Sequence, residues 1–82
     1  MQIVAVKFIE PTDLAAHGIT GELPMLIEFE DWQVPAGGDV LMFDDVLKAD
    51  GKPAAFIVRG RALSVHKGGV FDCTVMVELL SR

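Results

Sequence analysis

The sequence predicts a mainly β fold, with about five antiparallel strands in a small barrel or a strongly curved sheet and at most one or two short helical turns. Three observations carry this. Period-two alternation of apolar side chains recurs along the chain, most cleanly over residues 23–30. A glycine-rich turn, His66-Lys67-Gly68-Gly69, folds residues 55–82 into one long hairpin. A second turn signal, Asp50-Gly51, adds a strand to that hairpin and agrees with the first on which face is buried.

Residues 2–10 form the first strand. Val4, Val6 and Phe8 share one face; Ile3, Ala5, Lys7 and Ile9 share the other. Both faces are mostly apolar, which suits a central or covered strand, and Pro11 ends it. Residues 11–18 hold one helical turn, capped by Thr12 or Asp13 and closed by Gly18. Ile19 to Glu22 reads as a loop. In the strand of residues 23–30, Leu23, Met25, Ile27 and Phe29 point one way, and Leu26, Glu28 and Glu30 the other. Residues 31–38 are a connector rich in turn formers.

A further strand opens at Asp39 or Val40 and runs to Phe43. Pairing through Asp50-Gly51 sets Phe43 beside Val58 and Leu41 beside Gly60. The same register sets Asp45 opposite Phe56, a conflict that a bulge or a loop between residues 44 and 53 resolves. The C-terminal hairpin then pairs Phe56 with Leu79, Val58 with Val77, Gly60 with Val75, Ala62 with Cys73 and Ser64 with Phe71. That is a core face, with Gly60 making room opposite Val75. The other face carries Ile57, Arg59, Arg61, Leu63, Asp72, Thr74, Met76 and Glu78, a mixture of charged and apolar side chains. The segment Val34-Pro35-Ala36-Gly37-Gly38-Asp39-Val40, leading into an apolar strand, resembles a turn of small SH3-like barrels. That resemblance implies architecture alone.

Eighty-two residues make one small β domain, residues 1–82. Hydrophobic residues are 51% of the chain and mean hydropathy is +0.42. So small a body leaves part of this apolar surface for a partner, a second copy of the chain among the candidates. One cysteine, Cys73, excludes an internal disulfide. The N-terminal residues lack the pattern of a signal peptide, and no apolar run is long enough to cross a bilayer, so a cytoplasmic location with no membrane partner is expected. Net charge is −5, unevenly spread. Residues 22–50 hold eight acids and one base, while residues 51–82 hold five bases and two acids.

Candidate chemistry is sparse. Cys73 and His66 are a nucleophile-and-base pair on paper. Four residues of strand at about 3.3 Å each separate them by roughly 13 Å, beyond hydrogen-bond reach. Cys73 therefore reads as a small core hydrophobe. Asp39, Asp44, Asp45 and Asp50 lack the alternating spacing of a calcium loop, and His17 and His66 have no further ligands for zinc. Turn capping explains the acids more simply, so no metal and no cofactor is expected. Arg59 and Arg61 resemble a phosphate-contacting pair, but the chain is acidic and no aromatic joins their face, so nucleic acid is not the expected partner. Trp32, the single tryptophan, is read as a lid on the core, with an exposed anchor as the other reading. Gly37-Gly38 lacks the lysine and helix of a phosphate loop.

The expectation is thus a protein that is not an enzyme and serves in protein–protein interaction or assembly, as an oligomer of its own chain or as a small subunit of a larger complex. The expected interface is Arg59, Arg61, Leu63, Met76 and Met42, since arginine and methionine are enriched where proteins meet. The alternative is a small-ligand or ion-binding protein that uses the acidic loop of Asp39, Asp44, Asp45 and Asp50.

Overall fold

The computed structural model describes residues 2–69 and 71–80, with the side chain of Phe71 outside that description. Five strands run β1 (Gln2–Phe8), β2 (Leu26–Phe29), β3 (Val40–Leu47), β4 (Pro53–Val65) and β5 (Phe71–Leu79). They form one sheet in the order β2-β1-β5-β4-β3, curled strongly into a half-barrel. Single 3-10 turns occupy Ala15–His17 and Asp31–Gln33.

Alternation explains the core. Val4 and Val6 of β1, Phe56 and Val58 of β4, and Val75 and Val77 of β5 are buried on the inner face. Phe8 and Phe43 pack tilted against Phe56, with ring centroids 5.9 and 6.0 Å away. Such tilted pairs favour the aromatic quadrupoles beyond simple burial. Cys73 joins this core as a free, buried thiol.

The sheet is mixed rather than wholly antiparallel. β1 pairs with β5 in parallel, Ala5 beside Thr74 through Phe8 beside Val77. No turn connects these two strands, so no local signal sets their relative direction.

The hairpin register holds only at its base. Phe56 faces Leu79 and Val58 faces Val77, as expected. A bulge then follows, and Gly60 faces Met76, Arg61 faces Val75, Leu63 faces Cys73 and Val65 faces Phe71. Gly60 is therefore not the small residue opposite Val75; a Cβ added to it meets nothing within 4 Å. One extra residue on β4 is what an odd number of positions between Val65 and Phe71 demands. It also bends the strand, which serves the curl of the sheet.

β3 shows a related shift. Leu41 faces Phe56, not Gly60, and Val40 faces Ile57. The displacement is an even number of residues, so the inner face stays the same. An irregularity between Met42 and Leu47 takes up the difference and frees Asp45 from Phe56. Pro53 nevertheless begins β4, opposite Leu47.

Residues 18–23 close the open side of the half-barrel. Gly18, at φ 73°, ends the first 3-10 turn, and Asp13 Oδ1 accepts a hydrogen bond from the Ala15 N–H at its start. Ile19 is buried, so this stretch is not merely a loop. Thr20 and Leu47 exchange two backbone hydrogen bonds of 2.9 and 3.0 Å. Gly21, at φ 95°, lies so close to β3 that an added Cβ would sit 2.2 Å from the Asp45 carbonyl oxygen. Pro24 delays the next strand, so β2 starts at Leu26, and Met25 is exposed rather than inward.

Candidate functional site

The bulge at Arg59 and Gly60 decides where the expected interface residues stand. Before it, odd-numbered residues of β4 lie on the outer face; after it, they lie on the inner face. Arg59, Met76 and Met42 share the outer, convex face. Arg61 and Leu63 do not; they stand beside Val75 and Cys73 on the inner face, at the projecting end of the hairpin. The five residues therefore form no single patch.

The outer face is unusually apolar. Ile3, Leu26 and Met42 are 65%, 63% and 65% exposed. The first two form one corner with Ala5 and Thr74; Met42 forms the opposite corner with Val40 and Ile57. Met76, half-buried on the central strand, lies between them. Charged side chains interrupt this surface, with Lys7 beside Met76 and Glu78 beside Ile57 between the two corners. Arg59 Nε donates to Glu78 Oε2 at 2.8 Å, and His66 Nε2 lies 2.7 Å from Asp72 Oδ2. Both pairs are largely exposed, so water screens them and they orient side chains more than they stabilise the fold.

The hairpin tip adds further exposed apolar surface. Leu63 and Val65 are 62% and 74% exposed, although their inner-face neighbour Cys73 is buried. Trp32 is 81% exposed and is no lid. It sits on the one-turn 3-10 segment that follows β2 beyond the end of the sheet. Gln33 Oε1 accepts from the Glu30 N–H and fixes that turn.

The acidic loop spends much of its charge locally. Asp39 Oδ2 accepts from the Ala36 N–H at 2.8 Å. Asp50 Oδ1 accepts from the Lys52 N–H at 3.0 Å, and its other oxygen lies 3.8 Å from Lys48 Nζ. The Lys52 N–H is the main reason that the Asp50 carboxyl is held below the ordinary aspartate range; Lys48 and Lys52 add to it. Asp44 and Asp45 line a shallow depression of about 460 Å³ with Glu22 and Pro24. Among the described residues no three histidine, cysteine or carboxylate side chains gather as a metal would require.

A concavity of about 910 Å³ lies between β1 and the segment that follows it. Phe8, Leu14, Ile19 and Leu23 give it an apolar floor, and none of the loop acids reaches it. Cys73 pairs with Leu63, and His66 is engaged by Asp72 rather than by the thiol.

Sequence reasoning did not name Ile3, Leu26 and Val40 among the interface residues, and of its two readings of Trp32 the favoured lid gives way to the exposed one. Ile3 and Leu26 were legible as the second apolar face of strands that also bury a first one. Compared with known protein families, curated proteins and solved structures, the chain matches none.

Proposed function

We propose that this chain is a non-catalytic protein–protein assembly module, acting in the cytoplasm by self-association or as a small subunit of a larger complex. The observation that supports it is the outer face of the sheet. Two apolar corners, Ile3 with Leu26 and Val40 with Met42, stand exposed on a surface that the fold itself does not cover. Exposed apolar surface of this kind marks an interaction site, and Lys7, Arg59 and Glu78 supply charged groups between its two corners. The small-ligand alternative draws less support, because Asp39 and Asp50 are engaged in their own turns.

Light scattering after size exclusion tests the reading. The parent is expected to exceed its monomer mass of 8.9 kDa at high concentration. Ile3→Asp and Met42→Asp are each expected to weaken that association, since a carboxylate buried without a partner is costly. Both side chains are exposed, so both variants should fold. A parent that stays monomeric at millimolar concentration would remove self-association.

A further inference from the structure

We propose that a second copy of this chain adds to the sheet edge to edge, its acidic β2 pairing antiparallel with the uncovered half of β4. The inference rests on the reading as an assembly module, but uses the edges of the sheet rather than its outer face.

Both edges are open. β3 covers only the first half of β4. Its register ends with Val40 beside Ile57, and the last backbone bonds across that seam join Val58 to Gly38 and Asp39. Beyond the bulge, alternation along the β4·β5 ladder can be followed residue by residue. The Leu80 N–H bond to the Ala55 carbonyl makes that pair hydrogen-bonded, and every second pair on β5 follows suit. Ala62 and Ser64 thus turn their backbone groups to β5. Arg61, Leu63 and Val65 turn theirs away, and among the described residues no strand receives them. At the other end of the sheet, the Val6 N–H donates to the Met25 carbonyl. The same alternation turns the backbone groups of Leu26 and Glu28 outward from β2, the terminal strand.

Charge selects the pairing. Residues 59–69 carry Arg59, Arg61 and Lys67 and no acid; residues 22–31 carry Glu22, Glu28, Glu30 and Asp31 and no base. Pairing β4 with β4 or β2 with β2 sets like charge against like. Pairing β2 with β4 sets Arg61 opposite Glu28 and, two residues on, Leu63 opposite Leu26. All four are among the residues whose backbone groups face outward. Neither Arg61 nor Glu28 has an ion-pair partner among the described residues. A charge in the middle of an edge strand guards it against its own kind; here each guard is the other's complement. An opposite-charge pair and an apolar pair directly across a ladder both favour this register. The contact is heterologous, so each added copy leaves one acidic and one basic edge free, and growth continues unless a ring closes.

Sedimentation velocity over a concentration series at low salt tests this. The parent should gain mass with concentration, and added salt should reverse it. Arg61→Glu and Glu28→Arg should each raise the concentration for half-association at least tenfold, because each sets like charges across the seam. An equimolar mixture of the two variants should recover the parent's association, since the altered β4 of one then meets the altered β2 of the other with opposite charges restored. Hydrogen exchange in the parent should slow at the Arg61, Leu63, Leu26 and Glu28 amides as concentration rises, a readout that needs no variant. A parent that is monomeric at low salt overturns the proposal, as does a mixture no more associated than its components. Association abolished by Met42→Asp but unchanged by both charge reversals would place the contact on the outer face, refuting the edge pairing while leaving the assembly reading intact.

Discussion

Gly21→Ala is expected to be among the most damaging single-methyl changes available to this chain. The added Cβ would lie 2.2 Å from the Asp45 carbonyl oxygen, 3.2 Å from its carbon and 3.3 Å from the Val46 Cα. All three atoms are backbone, so no side chain can swing aside. A carbon–oxygen contact is ordinarily about 3.3 Å or longer, so the two segments must part by about 1 Å. That separation strains or breaks the adjacent Thr20–Leu47 pair. The φ of 95° adds its own penalty, about 1 kcal/mol for a residue with a Cβ. Overpacking a tight site costs about 1–3 kcal/mol. The sum is about 2–4 kcal/mol, and a domain of this size loses about 4–8 °C in Tm per kcal/mol. Gly38→Ala is the control, because Gly38 has φ 98° but nothing within 4 Å of the added carbon. It should lose about 1 kcal/mol, the backbone penalty alone. Urea unfolding followed by circular dichroism compares the two, with an unchanged m-value as the check on two-state behaviour. Equal losses in the two variants would refute the close approach of residue 21 to β3.

Three further outcomes follow from the same geometry. Gly60→Ala should be neutral or gain up to about 1 kcal/mol, because the site is open and its φ needs no glycine; a loss above about 1 kcal/mol by urea unfolding would restore the regular pairing with Val75. Cys73, buried with Val75 in the core, should react with a thiol reagent only as the protein unfolds, and rapid labelling under native conditions would displace it from the core. The Asp50 carboxyl, observed by NMR, should titrate below a free aspartate; with its folded pKa lowered, any stability it lends is present above the ordinary aspartate range and lost as pH falls through the lowered midpoint, and Asp50→Asn should erase that part of the acid dependence.

Parity was the legible part of this fold. Alternation put Val4, Val6, Phe56, Val58, Val75 and Val77 on one face, and an even slip in the β3 register left that face unchanged. The bulge was not legible. A glycine opposite a valine in a regular ladder and a glycine in a bulge leave the same trace in sequence, and one inserted residue turns every later side chain over. Arg61 and Leu63 parted from Arg59 and Met76 for that reason alone. The parallel β1·β5 pair joins distant parts of the chain with no turn to announce it. Trp32 defies the usual burial of tryptophan because it lies past the end of a strand, where the curl of the sheet no longer encloses a side chain.

The parallel pairing of β1 with β5 also governs when the sheet can be finished. β1 lies between β2 and β5, so its second neighbour is the last of the five strands to leave the ribosome. Until residues 71–79 emerge, β1 has a raw edge, and Val4 and Val6 lack the flanking side chains of β5 that share their face. Contacts of such long sequence separation close late, because the intervening chain must surrender its freedom before they form. Maturation of the sheet therefore waits on its final strand, and a nascent chain halted at the tip of the hairpin holds most of its strands but no completed core.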